Sequence, residues 1–256
     1  MRWLPFTDCS LSNCDCRWIS VTGWRKNVEP LQQVADKIQA AGGAAEIAKV
    51  DALDERAVEE YTAVIVRQAG TLDISFNLIG LDVVQNMPMT EIATEDFVRP
   101  VNIAMKTQFL TSIAAARHMK KQRSGVILSL TATPGGIGYP FTGGFGPACC
   151  AMEAFSINLA SELGVYGIRV VNIRSAGSPD SRMFKEAIDR DPKLMAPILR
   201  SMEGDTMLKK LPSVADICNA AVFLASDMAG KITGVTMDVT AGSTAALNYR
   251  VNNQTV

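Results

Sequence analysis

Apolar positions along this chain follow two spacings that alternate from one segment to the next. Spacing of i, i+3, i+4 and i+7 predicts an amphipathic helix that ends at Gly42-Gly43; its apolar residues are Leu31, Val34, Ala35 and Ile38. Further helices are predicted at about 54–70, 98–121 and 147–164, and Ser213 with Asp216 predicts a capped helix start. Short apolar runs between the helices predict strands; they are 17–22, 45–50, 72–77, 126–130, 168–173 and 235–239.

This alternation is typical of an α/β protein whose parallel sheet carries helices on both faces, a three-layer α/β/α arrangement. A chain of 256 residues is long enough for one such domain with a substantial core. Neither an internal repeat nor a low-complexity segment divides it. We therefore predict a single domain over residues 1–256.

Bulk charge and hydropathy exclude some classes of partner. The net charge of -1 gives no bulk attraction to nucleic acid or to an anionic membrane. Apolar runs all fall short of the roughly 20 residues of a membrane span. The first six residues, MRWLPF, turn polar too soon for the core of a signal peptide, so we expect a cytoplasmic protein.

The cysteines do not form a recognisable metal or disulfide framework. Six of them are spread through a chain of this size, which is typical of free thiols. Cys9, Cys14 and Cys16 cluster, but their spacing is not a familiar zinc spacing, and the only histidine, His118, is far away in sequence. We expect no metal site.

The most informative segment is 145–172, which reads FGPACCAMEAFSINLASELGVYGIRVVN. It resembles the helix and strand that contain and follow the catalytic Tyr-x-x-x-Lys of the short-chain dehydrogenase/reductase family. The resemblance covers roughly residues 17–242. It implies a Rossmann-like doubly wound sheet, an NAD or NADP cofactor, and a small-molecule alcohol or carbonyl substrate.

Four shorter motifs agree with that resemblance in order and spacing. DALD at 51–54 resembles the segment whose first aspartate, here Asp51, contacts the adenine. LDISFNLIG at 72–80 resembles the family's LDILVNNAG strand, with Asn77 and Gly80 retained. Asn102 matches the asparagine that holds a proton-relay water, although the approach to it is about two residues short. NIRSAGSPDS at 172–181 resembles the segment that binds the nicotinamide end, including Gly177 and Ser181.

The resemblance breaks at the residues that carry the family's reaction. In register, Phe145 stands where the family has its acid–base tyrosine, Cys149 where it has lysine, and Ala132 where it has serine. Phenylalanine has no proton to exchange and cysteine supplies no fixed positive charge. General acid–base help contributes about 10²–10⁴ in rate. The implied reaction is therefore expected to be badly impaired.

Two substitutes for the lost groups come from the residues themselves. Tyr139 is a candidate acid in a glycine-rich loop, or else a loop aromatic that packs at the cleft rim. Cys149 and Cys150 are candidate nucleophiles, because a helix start lowers the pKa of a thiol, or else small buried helix residues.

The amino-terminal region is the second departure. The family begins with a strand, a glycine-rich turn and a helix that binds the pyrophosphate, whereas residues 1–16 form an atypical segment without glycine. The first strand and helix are thus missing or replaced, and cofactor binding is expected to be impaired. Asp51 and Asn77 are then remnants of a cofactor cleft, or ordinary strand-end residues that cap turns.

What fills the first-strand slot stays open at this point. Residues 3–6 could slide into it, a partner chain could fill it, or the local sheet could be disordered, although Pro5 disfavours a central strand. A natural short amino terminus and a truncated gene model both fit. If a cofactor binds, Arg25, which lies just past a strand, is placed where the 2'-phosphate of NADP would sit. Alternatively, Arg25 is an ordinary charged residue of the surface.

Three functions follow as hypotheses. The first is a family member that keeps the fold but is not a competent dehydrogenase, and the second is an atypical NAD(P)-dependent oxidoreductase that uses Tyr139. The third is a thiol-dependent enzyme. The resemblance also implies a homo-oligomer, a dimer or tetramer that pairs through the helices at 98–121 and 147–164. It further implies a substrate lid at 182–210. A loosely packed pair of surface helices would explain the sequence of that segment equally well.

Overall fold

The computed structural model describes residues 18–23 and 29–245. Six strands and seven α-helices alternate along them. They are β1 (Trp18–Gly23), α1 (Glu29–Ala40), β2 (Ala44–Lys49), α2 (Glu55–Ala69), β3 (Ile74–Asn77), α3 (Thr94–Gln122), β4 (Gly125–Ala132), α4 (Phe145–Leu163), β5 (Ile168–Ser175), α5 (Arg182–Arg190), α6 (Pro192–Gly204), α7 (Val214–Ala225) and β6 (Val235–Val239). The predicted α/β fold with a parallel sheet is confirmed.

The strands pair in two parallel groups. β1 pairs with β2, and β3, β4, β5 and β6 pair in that order. Within the described residues, no strand joins β1 to β3, which is where the sequence predicted a missing or replaced strand. The segment 1–16, including residues 3–6, lies outside the described residues.

The two faces of each strand meet different helices, because successive side chains point to opposite sides. On β2, Ala45 and Ile47 pack with α1, whereas Ala48 packs with α2 and α3. On β5, Ile168 and Val170 face α3 and α4, whereas Val171 and Ile173 face α7. Helices therefore cover both faces, as the sequence predicted.

Local signals set several helix ends. Asp54 accepts a hydrogen bond from the Ala57 amide at the start of α2, and Gly70 ends that helix at a φ of 78°. Ser213 and Asp216 form the predicted capping box of α7. The structure begins α3 at Thr94, four residues before the predicted start, because Pro100 is accommodated inside the helix. None of the described helices is long and apolar enough to cross a membrane.

Candidate functional site

The carboxyl ends of β3 to β6 lead into four loops, and in open α/β sheets ligands bind outside this edge. We call these loops the rim; they are residues 78–93, 133–144, 176–213 with α5 and α6, and 240–245. Backbone hydrogen bonds join them: the Asn86 amide donates to Phe141 and the Met207 amide donates to Ala241. The loops after β3 and β4 are thus joined to each other, as are the loops after β5 and β6.

Backbone strain concentrates in this rim. Of the six non-glycine residues with positive φ in the described part of the chain, five lie there; they are Asp82, Asn86, Phe141, Lys209 and Ala241. An aromatic residue such as Phe141, at a φ of 61°, is an outlier, and the left-handed conformation costs energy that packing must offset. Such outliers cluster at functional sites, so the rim is the first place to look for one.

Three sequence-predicted positions do come together at the start of α4. Phe145 and Cys149 lie one helical turn apart on α4, and the Cys149 thiol has a backbone hydrogen bond with Ala132 at the end of β4. Cys149 is 1% exposed, while Ala132 and Phe145 are half-buried. The backbone of Ala132, a phenyl ring and a buried thiol therefore meet here, whereas the Ala132 side chain, one position after Thr131, points to the other face of the sheet.

Burial determines the protonation state of the Cys149 thiol. Loss of solvent raises the pKa of Cys149 to about 12, and the nearby Glu153 carboxylate adds to the rise. The thiol is thus protonated at neutral pH. Of the two interpretations of Cys149, the structure supports the small buried helix residue and not the activated nucleophile, because burial outweighs the helix terminus; Cys150 next to it is exposed.

Asn102 is not brought to the same place. Its side chain is exposed, whereas Ala104, two residues later, is 1% exposed and packs with Ala148 and Met152 of α4. Residues two apart on a helix do not face the same side. Ala104, rather than Asn102, is therefore the residue of α3 that faces the start of α4.

Tyr139 lies in the rim and is 40% exposed. Partial burial raises the pKa of its phenol, and the Asp205 carboxylate at the end of α6 raises it further. A raised pKa makes the phenol a weaker acid, which is the opposite of what a replacement for a tuned catalytic tyrosine requires.

Asp51 and Asn77 both hold the turn that follows their strand. The Asp51 Oδ1 accepts the Leu53 amide at 2.9 Å, and the Asn77 Oδ1 accepts the Ile79 amide at 3.0 Å. Asn77 also donates to the Thr111 hydroxyl at 3.2 Å and is 6% exposed. Asp51 is exposed, and at Gly80 a Cβ would meet nothing within 4 Å. The turn-capping role is thus seen, and Asp51 stays accessible.

The loop after β5 contains an unsatisfied polar group. The Ser178 side chain is 5% exposed, and its hydroxyl has no hydrogen-bond partner among the described residues. Next to it, a Cβ at Gly177 would lie 2.7 Å from the Phe184 ring, so α5 packs directly against this glycine. Ser181 caps α5 without a side-chain hydrogen bond.

Directly below these positions, sequence reasoning missed a polar layer that is buried at its centre and reaches solvent at Asp238. Alternate residues of β4, β5 and β6 that face α4 are polar and stand in register across the strands; they are Ser129, Asn172 and Thr236 in one row, and Thr131, Arg174 and Asp238 in the next. Asn172 donates to Thr131 at 2.7 Å and accepts from Ser129 at 2.8 Å.

An ionic cluster completes this layer. The Arg174 guanidinium donates to both oxygens of Glu153 on α4, at 3.0 and 2.5 Å, and to Asp238 at 2.9 Å. The Glu153 hydrogen bonds, followed by the attraction of both carboxylates, hold the pKa of Arg174 above its ordinary value. Thr131 donates to Glu153 at 2.8 Å. A Cβ at Gly135 would collide with the Glu153 carboxylate, so glycine is needed there.

A signal for this layer was present in the sequence. Polar residues alternate with apolar ones in VILSLTA, VVNIRS and VTMDV, within strands that are otherwise buried. The partner on α4 could not be assigned without knowing which strand positions stand opposite Glu153.

Other sequence candidates lie elsewhere. His118 lines a groove of about 220 Å³ between α2 and α3, with Glu59, Arg117 and Lys121, at the opposite end of α3 from the rim. In the described ranges, no group of three or more His, Cys, Asp or Glu side chains could hold a metal ion. Arg25 and the cluster Cys9, Cys14 and Cys16 lie outside the described residues.

Comparison with protein families places most of the chain in one of them. A family model described as enoyl-(acyl carrier protein) reductase matches residues 20–244. The chain is 29% identical over 221 residues to 2,3-dihydro-2,3-dihydroxybenzoate dehydrogenase of Bacillus subtilis, covering 85% of this chain and 84% of that protein. It is 28% identical to L-rhamnose 1-dehydrogenase (NAD(P)(+)) of Azotobacter vinelandii, covering 82% and 79%.

Solved structures agree with the fold. NAD+-bound xylitol dehydrogenase superposes with a TM-score of 0.80 at 24% identity, covering 88% of each chain. A short-chain type dehydrogenase/reductase from Mycobacterium ulcerans gives a TM-score of 0.80 at 22% identity, covering 90% of this chain and 81% of that one.

Proposed function

This chain belongs to the short-chain dehydrogenase/reductase family, and on that premise we propose that it keeps a ligand-binding cleft but not the family's hydride-transfer chemistry. One observation carries the proposal. Phe145 and Cys149 share one face at the start of α4, next to the backbone of Ala132 at the end of β4, and they offer a phenyl ring and a thiol whose pKa is about 12. Neither side chain is suited to act as an acid or a base at neutral pH. The function is then that of a binding or scaffold subunit.

The family implies NAD or NADP, and the residues present fit only part of such a cofactor. Asp51 is accessible for an adenine, and Gly177, the orphaned Ser178 hydroxyl and Ser181 suit a nicotinamide end. The diphosphate is the misfit, since the first glycine of the chain is Gly23 and the next is Gly42, so that neither forms a glycine-rich turn before α1. We therefore assign no chemical step to the cofactor.

Calorimetric titration with NADH and NADPH tests this proposal, after circular dichroism has verified folding. We expect dissociation constants weaker than about 1 mM for both, because the sequence of residues 1–28 offers no glycine-rich turn that would donate backbone hydrogen bonds to the diphosphate. Micromolar binding of either cofactor would contradict the misfit at the diphosphate, and turnover of a carbonyl substrate with that cofactor would sink the proposal.

An atypical oxidoreductase is the second candidate, favoured by one observation. Tyr139 is an exposed phenol in the rim, within electrostatic reach of Asp205. The raised pKa of Tyr139 disfavours a role as the catalytic acid. A Tyr139→Phe variant distinguishes the two candidate functions, because only an oxidoreductase that uses Tyr139 would lose turnover.

We also propose that the chain forms a dimer or tetramer through α3 and α4. Phe109 on α3 and Ile157 on α4 are 49% and 50% exposed, and Phe109 packs edge-on against Phe155 of α4. Large apolar side chains at such exposure indicate an interface. Phe109→Asp and Ile157→Asp should lower the mass seen by sedimentation, while Met228→Asp, at a residue 77% exposed elsewhere, should not.

A further inference from the structure

The groove between α2 and α3 is a cavity outside the rim, at the opposite end of α3. Its volume of about 220 Å³ is room for roughly seven water molecules, at about 30 Å³ each in the liquid. Six residues line it; they are Glu59 and Thr62 on α2, and Ala114, Arg117, His118 and Lys121 on α3. Spacings of three and four residues put each set on one face of its helix, so two regular elements hold the walls in place.

Two of the lining residues are buried, and we call them the floor of the groove; they are Thr62 and Ala114. Ala114 is 3% exposed and packs with Val50 and Val58. Thr62 is 4% exposed, and its hydroxyl already donates to the Val58 carbonyl at 2.7 Å. The floor therefore has no hydroxyl proton left to donate, and a ligand that reaches it gains mainly by burying apolar atoms.

Basic residues crowd the carboxyl-terminal end of α3, where residues 117–123 read RHMKKQR. Two of them that do not line the groove are engaged elsewhere. The Lys120 ammonium lies 4.4 Å from the centre of the Tyr166 ring. The Arg123 guanidinium lies over the same ring and donates to the Val165 carbonyl at 2.9 Å. The charges that remain at this end of the helix are those of the groove itself.

The charges that line the groove do not balance. Arg117 pairs with Glu59 across it. Among the described residues, neither His118 nor Lys121 has an ion pair or a hydrogen bond. Loss of solvent, followed by the nearby Lys121 charge, lowers the pKa of His118, so its imidazole is mainly neutral at pH 7 and keeps one N–H to donate. One unpaired ammonium and one unused N–H donor thus stand beside an apolar floor.

We propose that this groove is a second ligand site, which binds a small carboxylate with a compact apolar body, such as benzoate. The apolar body contacts Thr62 and Ala114, and the carboxylate accepts hydrogen bonds from Lys121 and the His118 ring. Phosphate would match the charges but leave the floor without an apolar contact, and a neutral compound would give Lys121 no partner. The assignment concerns the end of α3 away from the rim, so it does not rest on the function proposed above.

The chain has one histidine, and that residue lines the groove, so nuclear magnetic resonance can observe the site directly. Protein labelled with carbon-13 histidine and purified without a histidine tag gives the signals of His118 alone. Benzoate, titrated at fixed pH, should shift them along a saturable curve. We expect a dissociation constant on the order of 1–10 mM, the strength of an inefficient ligand with about nine non-hydrogen atoms.

Two control compounds separate the contributions of charge and apolar surface. Benzamide has the ring without the charge, and inorganic phosphate has the charge without the ring. We expect both to bind at least about threefold more weakly than benzoate, since each lacks one set of contacts. No saturable shift with benzoate would overturn the assignment, and so would binding of phosphate or benzamide as tight as that of benzoate.

The same signals report where the carboxylate lies. In the unliganded groove, the Arg117 and Lys121 charges oppose protonation of His118, and the Glu59 carboxylate favours it. A bound carboxylate beside the ring adds negative charge, so saturation with benzoate should raise the pKa of His118. A pH titration of the imidazole signals with and without benzoate measures this change. An unchanged pKa of His118 at saturation would contradict the proposed position of the carboxylate.

Three variants at exposed positions locate the site, and circular dichroism verifies that each one folds. Lys121→Gln should weaken benzoate binding about threefold to fivefold, the effect of one exposed charge pair. Glu59→Gln should strengthen it about twofold to threefold, because the like charge is removed and Arg117 is released.

Lys120→Gln is the matched control for Lys121→Gln. It removes the same charge from the neighbouring residue, whose ammonium lies over the Tyr166 ring, and it should leave benzoate binding unchanged. Equal weakening by Lys120→Gln and Lys121→Gln would overturn the assignment, because the overall charge of this helix end, and not the groove, would then attract the anion.

Discussion

Two adjacent layers of the sheet face that meets α4 differ in their chemistry. In the lower layer, Thr131, Glu153, Arg174 and Asp238 carry hydroxyl, carboxylate and guanidinium groups that bind one another. In the upper layer, at the start of α4, Phe145 and Cys149 carry no group that titrates near neutral pH. The charged side chains thus lie one layer below the edge of the sheet at which a ligand would bind.

The difference shows that the charged side chains near the strand ends are committed to one another. The side chains of Arg174 and Glu153 are only 13% and 10% exposed, and each has its partner, so neither is available to a ligand. Such a cluster stabilises only while it is complete, because removing one member leaves a buried charge unpaired.

Removing Arg174 should break the lower layer. Arg174→Met leaves Glu153 and Asp238 without their cation, and we expect a loss of about 3–5 kcal/mol in the free energy of unfolding. Urea denaturation followed by far-ultraviolet circular dichroism measures it. Arg56→Met is the control, since Arg56 forms an exposed pair with Glu60 and should show no measurable change. A loss below about 1 kcal/mol for Arg174→Met would mean that the cluster is not structural.

Cys149 and Cys150 are adjacent in the chain but differ in burial, and chemical labelling tests that difference. At pH 8, iodoacetamide should label the exposed Cys150 at least about a hundredfold faster than the buried Cys149, since thiolate is the reactive form. Mass spectrometry of the peptides, with Cys149→Ser and Cys150→Ser as matched controls, reads this directly. Comparable labelling of both would contradict the buried assignment.

The raised pKa of Cys149 also fixes the sign of a pH effect. The fold favours the neutral thiol, so its contribution to the free energy of unfolding is complete below about pH 9 and is lost as the pH rises toward about 12. Cys149→Ser should show a smaller loss over the same window.

Thr131→Val removes one hydroxyl from the lower layer without changing its shape. The Glu153 Oε1 then loses a donor and the Asn172 amide loses an acceptor, and we expect a cost of about 1–3 kcal/mol. Thr133→Val is the comparison, because the Thr133 hydroxyl makes contacts of 3.4 Å only. If both variants lost the same stability in urea, the layer would have no special role.

Tyr139→Phe should have the smallest effect. Tyr139 is 40% exposed, so we expect a change of stability within about 0.5 kcal/mol, and no change in any residual turnover. A tenfold fall in turnover with stability unchanged would instead assign Tyr139 as a replacement acid.

Most of the fold could be predicted from the sequence, because periodicity and capping act locally. The apolar spacing of Leu31, Val34 and Ile38 predicted α1, and Ser213 with Asp216 predicted the start of α7. The pairing of β1 with β2, separate from β3 to β6, depends on contacts far apart in sequence and had to be seen in the structure.

The candidate site was predictable only in part, for the same reason. The resemblance, taken in register, identified Phe145 and Cys149, which share one face of α4. The resemblance also selected Asn102, although burial puts Ala104 on the inward face. The place of Cys149 at a helix start suggested an activated thiol as one alternative, although burial raises that pKa. Burial and register are tertiary properties, so neither outcome could be read from the segment alone.

The most direct test of a cleft without acid–base chemistry is the rate of NADH and NADPH oxidation by the purified chain against a panel of ketones and aldehydes. We predict no rate above that of the heat-denatured protein. A steady rate that rises in proportion to protein concentration would contradict this, and would mean that another group in the cleft supplies the proton.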